Sequence, residues 1–196
     1  MTKIPLSFYQ QEDVVTLSRS LLGKYLFTCL EPENVITGGM IIETEAYHGP
    51  EDKASHAYNN RRTKRTETMF SEGGVAYVYL CYGMHHLFNI VTNQKNIPHA
   101  ILIRAIQPEA GIDVMLRRRN KKKLVPTLTR GPGSLCQALG INRTHDGFTL
   151  DGNSIWLEDR GVLIPTECIQ ASPRIGVDYA EEDALKPWRF LLKSSI

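Results

Sequence analysis

The sequence predicts an α+β fold: a single mixed domain spanning residues 1–196, with a mostly antiparallel β-sheet, flanking helices and a protruding β-hairpin. Three observations carry that expectation. First, β-rich runs and a few helical stretches are interleaved irregularly, so the strict βαβ alternation that builds a parallel sheet is missing. Second, two β-rich runs, Val75 to Cys81 and Leu87 to Thr92, flank Tyr82-Gly83-Met84-His85, a short segment that contains a glycine and reads as a hairpin turn. Third, a chain of 196 residues can bury one core without staples.

The elements follow in order. Gln11 to Leu22 reads as an amphipathic helix: Glu12 and Asp13 lie in its first turn, Val14, Leu17 and Leu21 recur at helical spacing, and Gly23 ends it. Tyr25 to Leu30 and Val35 to Tyr47 read as strands. Ala46 to Phe70 is long, polar and aperiodic, and a loop of that length inside a compact domain is more often functional than idle. After the hairpin, Ala100 to Ile106 is a strand, and Pro108 opens a helix with Ile112, Met115 and Leu116 on one face. Lys121 to Thr129 is a basic linker. Arg130-Gly131-Pro132-Gly133 leads into a short helix that Gly140 stops. Ser154 to Glu158, Val162 to Pro165 and Glu167 to Ala171 read as short strands.

Composition narrows the function. The chain is 22% charged and 42% hydrophobic, as in a soluble globular protein. No apolar run is long enough to span a membrane, and Met1-Thr2-Lys3-Ile4-Pro5 carries no apolar leader, so a cytoplasmic protein is expected. Cys29, Cys81, Cys136 and Cys168 are isolated and read as reduced residues rather than disulfides or zinc ligands. The six histidines show no metal-ligand spacing, so neither metal nor cofactor is expected. Net charge is only +2, but Arg61–Arg65 and Arg117–Lys123 are basic clusters that suit a polyanion. A run such as Arg117–Lys123 also has an ordinary account as cations complementing a helix C-terminus.

The informative stretch is Glu43-Thr44-Glu45-Ala46-Tyr47. Strand alternation places Glu43, Glu45 and Tyr47 on one face and Met40, Ile42, Thr44 and Ala46 on the other. Two carboxylates beside a ring are either a solvated edge or a general base at a strand end. Tyr77 and Tyr79 share a face of the next strand, either as core or as a stacking surface. Tyr82, Met84 and His85 put large groups on a hairpin tip, the shape of a wedge that enters a base stack. Asn89 shares a face with Leu87 and Val91, so its amide needs partners if that face is buried. His56 gains interest from its place in the long loop. Arg130 heads a glycine-containing turn before a helix, which resembles an anion site, but the turn lacks the ending of a triphosphate loop.

Together these segments resemble the alkyladenine (methylpurine) DNA glycosylase family. The resemblance runs in order through Leu21-Leu22-Gly23-Lys24, Glu43 to Asp52, Ala54-Ser55-His56, Met69-Phe70, Tyr77 to Met84 with Asn89, Leu102 to Ala105, Gly131 to Leu139, and Ser172 to Gly176. It implies a curved antiparallel sheet, no metal, and double-stranded DNA with damaged purines as partner. It further implies Glu45 as general base, and Tyr47, His56 and Tyr79 around a flipped base. Asn89 would reject guanine, Tyr82 would fill the vacated stack, and Arg104 would lie near the flipped nucleotide. His85 departs from members with a bulkier aromatic at that place. The long N-terminal extension of some members is absent, which implies a minimal bacterial form; separately, a monomer is expected. A nucleic-acid-binding module without chemistry is the alternative.

Overall fold

The computed structural model describes residues 2–193; Met1, which opens the polar N-terminal stretch, and residues 194–196 lie outside them. The strands are β1 (Thr2–Lys3), β2 (Tyr25–Leu30), β3 (Val35–Tyr47), β4 (Val75–Cys81), β5 (His85–Thr92), β6 (His99–Ala110), β7 (Ile155–Asp159), β8 (Ile169–Ser172) and β9 (Arg189–Leu192). They form one sheet in the order β1-β7-β2-β3-β6-β5-β4, and β8 and β9 join through the end of β3. Every strand pairing among the described residues is antiparallel. The α+β expectation therefore holds, with the hairpin of β4 and β5 at one edge.

β3 organises the sheet. Its first half pairs with β2 and its end with β9, while β6 runs along the other edge. The β3–β6 register shifts at Gly38/Gly39 and twice between Ile41 and Thr44, and such bulges bend and twist a strand. Glycine is required at the first of these bends. A Cβ on Gly39 would lie 2.0 Å from the Gln107 carbonyl oxygen, and one on Gly38 would lie 2.3 Å from that of Leu26. Pro108 sits opposite Gly39 inside β6 rather than opening a helix, because a register shift spares the N–H that proline lacks. Helix α2 (Ile112–Arg118) starts only after Gly111.

The other helices are α1 (Val14–Ser20) and α3 (Pro132–Leu139). Helix α1 is shorter than its periodicity predicts. Asp13 is its N-cap and accepts from the Val15 and Thr16 amides, so Glu12 precedes the helix rather than lying in its first turn. Buried residues of all three helices pack with one face of the sheet, which contributes Ala46, Ala76, Val78, Phe88, Ile90, Ile101 and Ile103. Ser18 and Thr44 lock α1 to β3, with Oγ atoms 3.1 Å apart. Gly140 ends α3 in the left-handed conformation as expected.

Other readings change. Residues 162–165 form no strand, although Ile164 packs on the core. Strands β1 and β9 are too short for an alternation signal. The long loop is not structureless: 3-10 turns form at Gly49–Glu51, Tyr58–Asn60 and Glu67–Phe70. The basic run at the end of α2 is partly occupied with packing. Arg118 donates to Ala138 O and pairs with Glu33, while Arg119 reaches Gln137 and Ser134, so these two clamp α2 to α3. All four cysteines are free, and only Cys136 is fully buried.

Candidate active site in an aromatic cleft

The register lines up a polar row on the sheet face opposite the helices. Glu45 of β3 pairs with Leu102 of β6, Leu102 with Asn89 of β5, and Asn89 with Tyr77 of β4. Residues directly opposite share a face, so these four side chains stand side by side. Tyr47, Arg104 and Tyr79 lie two residues along on the same face. The long loop and the segment after β8 close over them, leaving a cleft of about 610 Å³. Tyr47, His56, Tyr79, Asn89, Tyr82 and Arg104 all line it, so six residues singled out in the sequence converge on one space.

Glu45 lies beneath the wall of this cleft and is 0% exposed. Its Oε1 accepts from the Ile175 amide at 2.8 Å and lies 3.3 Å from Arg104 Nη1; its Oε2 accepts from the Tyr47 hydroxyl at 2.9 Å. Burial raises the Glu45 pKa, and Arg104, the Ile175 amide and the Tyr47 hydroxyl only partly oppose that rise. A carboxylate with a raised pKa is a stronger base than an exposed one, and its oxygens are held in fixed positions. Glu43 has a different environment. It accepts from Arg104 at 2.9 Å and from Arg189 at 3.0 Å, so it orients Arg104 rather than facing the cleft. Alternation cannot separate the two glutamates; their partners do.

The aromatic wall is built by β4 and the long loop. The rings of Tyr77 and Tyr79 lie 5.4 Å apart, and His56 packs edge-on to Tyr79 at 4.6 Å. His56 Nδ1 is hydrogen-bonded with the Tyr77 hydroxyl at 2.9 Å. Burial, with Arg65 and Arg61 nearby, lowers the His56 pKa to about 4, so the ring is neutral at pH 7. Asn89 is 4% exposed and donates to Tyr77 O at 3.2 Å, which answers the demand for a buried amide partner. Behind Tyr47 lies Arg174, its guanidinium 4.8 Å from the ring centroid. Arg174 and Asp52 form an ion pair with both side chains at 0% exposure.

At the mouth, Tyr82 and Met84 protrude from the hairpin turn, 85% and 73% exposed. Tyr82 adopts a left-handed φ of 50°, which turns the strand sharply and projects the ring. Gly131 to Ser134 line the cleft, whereas Arg130 is exposed on its flank, with its backbone bridged to Ala105. The sequence reading missed Ile175, Arg65 and the Arg174–Asp52 pair, whose contacts span up to 130 residues and leave no local pattern. No group of three or more His, Cys, Asp or Glu able to hold a metal occurs among the described residues.

The chain is similar to known proteins along nearly its whole length. The family model for "Methylpurine-DNA glycosylase (MPG)" matches residues 7–196. A Chlamydia felis (strain Fe/C-56) protein named "Putative 3-methyladenine DNA glycosylase" is 50% identical over 192 residues, covering 96% of this chain and 95% of its own. Proteins of the same name from Chlamydia pneumoniae and Bacillus mycoides (strain KBAB4) are 48% and 45% identical. They cover 94% and 95% of this chain, and 92% and 94% of their own.

Proposed function

The chain belongs to the methylpurine-DNA glycosylase family, and from that membership we propose that it excises alkylated purines, hypoxanthine and ethenoadenine from duplex DNA with a water activated by Glu45. The observation that carries this reading is the buried carboxylate under the cleft, held by Ile175 N, Arg104 and Tyr47. Family membership and the names of the relatives support DNA glycosylase activity.

The chemistry follows from what base excision requires. A stacked base hides its glycosidic bond, so the nucleotide must swing out at a cost of a few kcal/mol. Tyr82 and Met84, at the exposed tip, occupy the gap it leaves. Stacking against Tyr47, His56 and Tyr79 offsets part of the cost, at roughly 1–3 kcal/mol per base–aromatic contact. Asn89 crowds the exocyclic amine of guanine, and Arg104 and Arg130 lie towards the nucleotide and the backbone. Glycosidic cleavage puts oxocarbenium character on the sugar. The Glu45 carboxylate stabilises that charge and takes a proton from the water attacking C1′.

A monofunctional reaction is supported by the lining, which among the described residues carries Arg65 and Arg104 but no lysine to form a Schiff base. Lys53 in the adjoining recess is engaged by Glu181 at 2.6 Å and Glu182 at 2.7 Å, which keep it protonated. In this reading the chain is one glycosylase domain, a monomer of the bacterial cytoplasm that needs no cofactor. No helix of the described residues is long and apolar enough to cross a membrane. The test is a product assay on duplexes carrying each lesion, in a strong chelator. Release of free base with an abasic site and no strand break is expected. Binding without release would favour a non-catalytic nucleic-acid module, and loss of activity in chelator would favour a metal hydrolase.

A further inference from the structure

Two guanidinium groups lie over the tyrosines of the cleft, and they differ in one respect. Arg174 behind Tyr47 is neutralised by Asp52. Arg65, whose Cζ is 5.2 Å from the centroid of Tyr79, has no ion pair among the described residues. Its neighbour Arg62 takes the nearby carboxylate, Glu67, at 2.6 Å. Arg65 is exposed yet lines the cleft, together with Tyr77, Tyr79 and His56. It also lines a second recess of about 290 Å³ that opens beside the cleft, with Lys53, Arg61 and Thr63. A ring face attracts one cation well; a second cation there competes for the same face and meets the charge of the first.

We propose that Arg65 sets the charge preference of the base cleft: its guanidinium competes with a cationic purine for the Tyr79 ring and shifts selection toward uncharged purines. A neutral base stacks on Tyr79 without this repulsion while Arg65 withdraws toward the recess. An N-alkylated cationic base loses part of the attraction that the tyrosines would otherwise provide. The proposal deepens the glycosylase reading and rests on it.

The test compares single-turnover kcat/KM on duplexes containing 7-methylguanine, whose base is cationic, and hypoxanthine, whose base is neutral. In Arg65→Met the cationic-to-neutral ratio should rise by roughly fivefold. In Arg65→Lys, which keeps the charge, it should stay near wild type. Taking a ratio cancels any common loss of DNA affinity. An unchanged ratio in Arg65→Met overturns the proposal. The imidazole titration of His56 by NMR, without DNA, is a second readout. It should move up from about 4 in Arg65→Met, because a facing cation has been removed. An unmoved titration would overturn the placement of Arg65 in the cleft. If wild type excises neither base, the glycosylase reading fails, while the His56 titration still decides where Arg65 sits.

Discussion

Replacing Asp52 by Asn should destabilise the protein by about 3–5 kcal/mol, the cost of leaving one member of a buried ion pair uncompensated. The Asp52 carboxylate takes Arg174 at both oxygens, with Nη2 to Oδ1 at 2.8 Å, and also accepts from the His48 and Ala54 amides. The Arg174 side chain is fully buried. Its remaining partners are the carbonyls of Ala46 and Asp183, its buried Nε has no partner among the described residues, and Tyr47 and Trp188 cover its faces. With an unfolding entropy of about 2.1 cal/mol/K per residue, the chain's 196 residues give about 0.4 kcal/mol/K, so the Tm should fall by about 7–12 °C. Thermal melts followed by circular dichroism, with urea titrations at constant m, read this directly. Glu67→Gln is the control: it breaks the exposed pair with Arg62 and should cost under about 1 kcal/mol. A fall of less than about 2 °C in Asp52→Asn, or one no larger than the control's, would refute the argument.

The remaining expectations concern the cleft. Because burial raises the Glu45 pKa above the ordinary 4.5, excision should decline as pH falls through that raised value. Arg104→Gln removes a cation that favours the carboxylate, so the acid limb should move further up; an unmoved limb counts against Glu45 as the titrating group. Tyr82→Ser changes an exposed tip, so Tm should hold while affinity for a duplex with an extruded abasic analogue drops by roughly tenfold, and unchanged affinity sinks the wedge.

Much of this was legible in the sequence where the pattern is local. The bounds of β3 and β4 follow from runs of β-formers ended by turn residues, and Gly140 marks the end of α3. Pro108 misled because a proline ahead of a helical pattern resembles a helix start, and only pairing with Gly39 reveals the bulge that accommodates it. Composition brought Tyr47, Tyr79 and Glu45 forward. The choice of Glu45 over Glu43 came from the family resemblance, and the physical ground for it, Ile175 N against Arg189, lies across more than 100 residues of chain. Arg65 and Arg61 read equally as basic surface, since what separates them is which ring each one covers. Arg118 and Arg119 looked like part of a polyanion site because a charge run does not reveal that its members are anchored to a neighbouring helix.

Single-turnover excision by Glu45→Gln tests the central claim most directly. The substitution is close to isosteric and removes a buried charge whose folded pKa is raised. Ionisation of Glu45 therefore costs stability as pH rises through that value, and at neutral pH the Tm of Glu45→Gln should not fall. Affinity for lesion-bearing duplex should stay within about threefold of wild type. Base release should drop by roughly 10²–10⁴-fold, as expected when a positioned base is lost. Excision at the wild-type rate by a folded, DNA-binding Glu45→Gln protein would contradict the account.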